Sequence, residues 1–233
     1  VTKTLPQGNS WVGGNRGTTI TENPLSAGMN IRMLTIKYAN GSLPTTGGVY
    51  ATGDLMVTTT TDEDGYFTEE YKTKNDLLVL KTTGKTGNAT KLFTYYVYDE
   101  FNQLRFVISP KATVWLNANN WTLTTAVANE LCYSYFYDGR LRMISKSTPG
   151  AGMESILYNY KDEAIFTQTP LQAAKGEYLF NKYDVLGRLI QTGVYYTTST
   201  PSALQTLINS GINNRDAFLT YMLTDIYGYT AYQ

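Results

Sequence analysis

The chain has 233 residues, with 19 basic and 19 acidic side chains and no net charge. No basic field is available to hold a nucleic-acid backbone or an anionic membrane. No histidine is present to serve as general base or transition-metal ligand. A hydrophobic share of 42% excludes a disordered tail, and 20 tyrosines lean the composition toward β-structure. Cys132 is the only cysteine, which excludes an internal disulfide and a cysteine-based zinc site. Its ordinary role is that of a small buried hydrophobe.

Residues 1–66 are expected to hold an irregular opening segment and the first hairpins. The stretch "QGNSWVGGNRGTT" within residues 1–30 is rich in Gly, Asn and Thr, and Ile31 to Tyr38 alternates as a strand. "LMVTTTTDEDGYFTEEY" reads as a long hairpin turning at Asp62, Glu63, Asp64 and Gly65. Residues 67–196 read as one hairpin-built sheet. In it "LLVLKTTGKTGNATKLFTYYVY" turns between Gly84 and Asn88. The β pattern breaks over 111–131, where a short helix is expected near Thr122 to Glu130. Residues 197–233 are expected to form a short helical insertion, with Pro201 in its first turn and Gly211 as its stop, followed by a further strand and turn around Asp225 and Gly228. Polar and apolar residues mix along strands such as "MVTTTT", which predicts a sheet wet on both faces.

One phrase recurs. "YDVLGRL" places Tyr183 and Asp184 ahead of Gly187, Arg188 and Leu189. "YDEFNQL" repeats it with Tyr98, Asp99, Asn102 and Leu104, and "YKTKNDL" with Tyr71, Asn75 and Leu77. "YNYKDEA" is a weaker copy with Tyr158, Asp162 and Ala164, and "YDGRL" a shortened one running from Tyr137 to Leu141. A three-residue hairpin loop is commonly a type I turn followed by a left-handed residue. Gly tolerates that conformation best, then Asn and Asp, which are the residues found at the fifth position of the full-length copies. The register then sets Tyr183 opposite Leu189 and Asp184 opposite Arg188, and in the third copy Lys72 opposite Asp76. In the shortened copy Asp138 and Gly139 are expected to form a two-residue type I′ turn, with Phe136 facing Leu141.

Other motifs fail on spacing. Gly84-Lys85-Thr86 has Val79 where a phosphate loop needs Gly. Around Gly65 a calcium loop would need acids at Thr60 and Tyr71. Ser10 has no histidine to activate it. Glu130, Glu154 and Glu177 could serve glycoside hydrolysis only as closely placed pairs, and their ordinary role is surface charge. No cofactor, metal or enzymatic activity is expected.

"YVYDEFNQLRFVISPKA", "LCYSYFYDGRLRMISKSTPGAG" and "NKYDVLGRLIQTGVY" together resemble RHS/YD-repeat proteins, and "VTKTLPQGNSWVGGNRG" resembles the segment that precedes the repeats in large secreted bacterial members. The resemblance covers roughly Val1 to Tyr196. It implies a mainly all-β fold of antiparallel hairpin repeats in a curved or spiral sheet, part of a β-shell, with one or two short helical insertions. It also implies a structural, non-enzymatic role: a shell segment enclosing a C-terminal toxin or other variable domain. The expected partners are the rest of a longer chain, another protein chain such as a secretion-system component, and the enclosed toxin. The implied location is secreted or at the bacterial cell surface, with neither nucleic acid nor membrane insertion. The Asp-Pro self-cleavage motif of many family cores is absent, so autoproteolysis is not carried over. An adhesin-like module contacting glycan or protein through exposed Tyr and Trp is the alternative.

Overall fold

In the computed structural model residues 2–4, 17–37 and 41–210 are described. The described residues are mainly antiparallel β with a few short helices. In chain order the elements are β1 (Thr2–Thr4), β2 (Thr18–Pro24), β3 (Arg32–Thr35), β4 (Thr45–Val49), β5 (Leu55–Thr61), β6 (Tyr66–Thr73), β7 (Leu78–Lys85), β8 (Leu92–Tyr98) and β9 (Leu104–Ile108), then α1 (Pro110–Ala118), α2 (Thr125–Leu131) and β10 (Cys132–Tyr137). After them come β11 (Met143–Thr148), β12 (Gly152–Tyr158), β13 (Ala164–Gln168), α3 (Pro170–Ala173), β14 (Glu177–Tyr183), β15 (Leu189–Tyr196) and α4 (Pro201–Ser210). The chain divides into two compact units, Val1–Tyr135 with Thr148–Gly150, and Phe136–Ser147 with Ala151–Gln233.

In the first unit the strands lie side by side in the order β1, β2, β5, β6, β7, β8, β9, β10, and β3 pairs with β4 apart from them. The opening segment therefore differs from its irregular expectation. Its "TTITENP" is rich in β-branched residues, and it forms β2, which pairs with β5 from Thr19↔Thr61 to Pro24↔Met56. Of the strand expected from Ile31 to Tyr38, β3 keeps Arg32–Thr35, and Tyr38 lies outside the described residues.

The two-wet-faces expectation fails here. Val57 faces Tyr71, Tyr71 faces Leu80, Leu80 faces Tyr95, Tyr95 faces Ile108, and Ile108 faces Cys132. Directly opposed residues share one face of an antiparallel sheet, so these form a single row across six strands. All but the half-buried Val57 are buried, and Ala112 and Leu116 of α1 belong to the same core. Burial of each large member stabilises by about 1.5–3 kcal/mol. Cys132 is fully buried, and burial pushes its thiol up to about 11, so it is unreactive.

In the second unit β11 to β15 follow one another in sequence order. Leu157 faces Phe166, Phe166 faces Phe180, and Phe180 faces Gly193. A Cβ at Gly193 would lie 2.7 Å from the Phe180 ring, so glycine there makes room for the ring. Phe166 packs against Tyr178 and Tyr195 at ring separations of 6.1 and 5.5 Å, and Leu204 of α4 completes this core.

Three of the four helices described share a start signal. Ser109, Thr169 and Thr200 each precede a proline and accept a hydrogen bond from the backbone N–H three residues on, that of Ala112, Gln172 and Ala203. The hydroxyl satisfies an orphan donor of the first turn, and proline has no N–H to lose there. The break over 111–131 thus contains two helices, of which only α2 was expected. The helix over Pro201–Ser210 lies where 197–233 predicted one, and the strand and turn around Asp225 and Gly228 lie outside the described residues.

Candidate functional site: the repeated turn

The structural elaboration of the molecule concentrates in its recurring turn. In 183–189 Tyr183 pairs with Leu189, and the Asp184 N–H donates to the Arg188 carbonyl at 2.9 Å. The Gly187 N–H donates to the Asp184 carbonyl at 3.0 Å, and Gly187 is left-handed with φ +76°. One carboxylate oxygen of Asp184 accepts from the N–H groups of Leu186 and Arg188, both at 2.9 Å. The other accepts from Arg188 Nε at 2.6 Å. A two-oxygen acceptor at position two thus saturates the turn's inward amides, and a left-handed residue at position five closes the loop.

Asp99 does the same for the N–H groups of Phe101 and Gln103, with Asn102 at φ +60° and Tyr98 opposite Leu104. Asn159 replaces Asp in 158–164, accepting from Lys161 and Glu163, with Asp162 at φ +66° and Tyr158 opposite Ala164.

Two copies differ from their expected register. In the third, Lys72 rather than Tyr71 opens the turn and pairs with Leu78. Thr73 supplies the side-chain acceptor and Asp76, not Asn75, is left-handed at φ +61°. Tyr71 points into the core opposite Leu80 and Leu77 lies within the loop, while Lys72 and Asp76 still form an ion pair at 3.3 Å. In the shortened copy no two-residue turn forms at Asp138 and Gly139. The Asp138 N–H donates to the Arg142 carbonyl, and its carboxylate takes the N–H groups of Arg140 and Arg142. This forces Leu141 to φ +61°, so the copy is full length, from Tyr137 to Met143. A sixth copy opens on Thr61, opposite Phe67, where the sequence signature has Tyr. Asp62 accepts from Asp64 and Tyr66, and Gly65 is left-handed at φ +79°.

Four copies carry a further device. The ladder register slips just before position one, at Tyr71/Lys72, Val97/Tyr98, Leu157/Tyr158 and Lys182/Tyr183. The skipped residue lies at position eight: Val79, Arg105, Ile165 and Ile190. Each is a β-bulge, which bends its strand and increases the twist. Gln205 of α4 serves the bulge at Tyr158: its amide accepts from the Tyr158 N–H at 3.0 Å and donates to the Tyr158 carbonyl at 2.9 Å.

Side chains clasp each hairpin of the second unit to the one before it. The Tyr158 hydroxyl donates to the Met143 carbonyl at 2.9 Å, and the Tyr183 hydroxyl to the Ala164 carbonyl at 3.2 Å. Met143 and Ala164 both stand at position seven of the preceding turn. Arg142 bridges Asp138 at 2.6 Å and Asp162 at 2.7 Å, with its guanidinium 4.6 Å over the Tyr158 ring. Burial would raise the Asp138 carboxyl, but hydrogen bonds from the Arg142 side chain and the Arg142 and Arg140 amides outweigh it, holding the group below its ordinary value. Asp184 is held low chiefly by the Arg188 amide. In the first unit Asp99 and Arg105 form a buried ion pair at 3.3 Å, and Arg105 Nε also donates to the Tyr135 carbonyl.

The discarded motifs serve the scaffold. Lys85 lies 4.4 Å over the Tyr66 ring, and the Thr86 N–H donates to the Gly65 carbonyl. Glu154 pairs with Lys146 at 3.2 Å, Glu177 faces Tyr196 across β14 and β15, and Glu130 is exposed. Among the described residues no group of three or more acidic or cysteine side chains could hold a metal ion, and no helix is long and apolar enough to cross a membrane.

No family model matches the chain, and no curated protein sequence matches it. Among solved structures it is similar to the Tc holotoxin pore of Photorhabdus luminescens, with a TM-score of 0.47 and 16% identity, covering 66% of this chain and 8% of that one. It is similar to TcdB2-TccC3 with a TM-score of 0.48 and 16% identity, covering 77% of this chain and 9% of that one. For TcdB2-TccC3-TEV the TM-score is 0.47 and the identity 17%, covering 82% and 9%. The chain thus spans under a tenth of the length of each of these three chains.

Proposed function

We propose that this chain is a structural segment of the wall of a larger secreted β-shell, which encloses a toxin or other variable domain, and that it has no enzymatic activity of its own. One observation supports the reading above others. At position eight of the repeated turn Val79 is 8% exposed, Arg105 1% and Ile165 2%, whereas Ile190 is 58% exposed. Ile190 lies on β15, the last strand in its sheet order, which pairs only with β14 among the described residues. Leu189 beside it is also exposed. A further hairpin of the same kind would cover Ile190 and Leu189, and its first tyrosine would find the Leu189 carbonyl as its acceptor. The occupant is the continuation of the wall, supplied by a longer protein or a partner chain.

The test is cryo-electron microscopy of the longer protein that carries this sequence. The expected map continues the sheet beyond β15 with another hydrogen-bonded strand and shows density enclosed by the wall. A map in which β15 faces solvent and nothing is enclosed contradicts the reading.

A further inference from the structure

The first unit contains a cavity of about 300 Å³ that the wall role does not use. This is the lower end of the size range of small-ligand sites, about 300–1,000 Å³. Its floor is the sheet face that carries Glu69 and Tyr71 on β6 and Phe93 and Tyr95 on β8, and α1 contributes Asn117 to its wall. Trp121 closes one side, its ring edge-to-face with Tyr95 at 5.3 Å. Trp121 and the preceding Asn120 are both left-handed, at φ +58° and +50°. Consecutive strained residues are maintained only where the surroundings over-determine them, and here they hold the indole at the cavity.

The polar groups decide what could enter. The Glu69 carboxylate accepts from the Tyr71 hydroxyl at 3.0 Å, and both its oxygens stand 3.4 Å from Lys91 Nζ. Burial, reinforced by Glu69, raises the Tyr71 phenol, which keeps it a protonated donor. Of the charged side chains in the lining, Glu69 and Lys91 offset each other, and the nearby Arg32 guanidinium is engaged 5.5 Å over the Trp121 ring, outside the lining, so an anion would meet Glu69 and a cation Lys91. Thr82 pairs with Glu69 on one side and Phe93 on the other, and it is fully buried, outside the cavity lining.

We propose that this cavity binds a single neutral sugar ring, with its C–H face against the aromatic side chains and its hydroxyls on Glu69, Lys91 and Asn117. A saccharide combines an apolar ring face with hydroxyls that both donate and accept, which matches this lining. The inference is independent of the wall role, since the cavity is built within the first unit alone.

The experiment is titration of the purified chain with methyl glucoside, methyl galactoside and N-acetylglucosamine to ~10 mM, a range that detects millimolar affinity. Calorimetry and the Trp121 indole N–H resonance are followed, with glucosamine and glucuronic acid as charged comparators. At least one neutral sugar is expected to bind saturably and shift the Trp121 resonance. Glu69→Gln and Asn117→Ala should each weaken binding by about tenfold, the loss of a hydrogen bond to a charged group or its neutral counterpart. Glu69→Gln preserves shape and Asn117 is exposed, so unchanged amide spectra elsewhere separate lost binding from lost fold. Absence of saturable binding, preference for a charged sugar, or full affinity in both variants overturns the proposal.

Discussion

Position five of the turn asks for a residue that accepts a left-handed backbone, and five of its six occupants are Gly, Asn or Asp: Gly65, Asp76, Asn102, Asp162 and Gly187. Leu141 is the exception, at φ +61° and partly exposed. A left-handed L-residue costs about 1–2 kcal/mol, and Asn recovers part of that. Leu141→Asn should therefore stabilise by about 0.5–1 kcal/mol in urea denaturation. Gly187→Val should cost about 1–3 kcal/mol, while Leu186→Val, at an exposed position one residue earlier, should cost well under that. Equal hydrogen exchange across 184–188 in the last two variants would sink the assigned geometry. Charge at position two adds a pH dependence. The Asp138 carboxyl is lower in the folded chain than its ordinary 3.8, so its contribution is present above that value and is lost as pH falls through the lowered midpoint. A carboxyl titration by NMR should give Asp138 a midpoint below 3.8, and Arg142→Ala should move it upward.

Between elements, the tyrosine at position one works on the neighbouring hairpin rather than its own. Tyr158→Phe removes the donor to the Met143 carbonyl and should cost about 0.5–1.5 kcal/mol. Tyr196→Phe, at an exposed site on β15, should be near neutral in the same thermal melt, and equal losses would contradict the clasp. The turns were legible in the sequence because their chemistry is local: an Asp or Asn acceptor, then a residue tolerant of positive φ. The misreadings were local too. Tyr71 supplied the expected letter one residue early, while Thr73 and Asp76 supplied the chemistry. Gly139 suggested a two-residue turn, but the Asp138 carboxylate captures two amides farther on and imposes the longer loop. The position-eight bulges could not be read, because they depend on cross-strand register. Nor could the buried row of the first unit, to which each strand contributes one residue. The missed helices α1 and α3 did carry a signal: a strand ending in Ser-Pro or Thr-Pro, the cap and first residue of a helix. The sugar-sized cavity had none, since Glu69, Lys91 and Asn117 converge only in three dimensions.

At the scale of the molecule, the bulged hairpins of the second unit, held by tyrosine clasps, form a series that has no internal reason to end. There each clasped hairpin completes the one before it, and β15 has none to complete it among the described residues. Alternate amides of an edge strand point away from its single partner, and such edges template pairing with another chain. The most direct measurement is hydrogen exchange of the purified chain at micromolar concentration, with its sedimentation recorded on the same sample. The account predicts that alternate amides of Leu189–Tyr196 exchange rapidly in the isolated chain, or are protected only where sedimentation shows self-association. A monodisperse monomer with every β15 amide strongly protected would mean that the segment is complete in itself, and would contradict the wall.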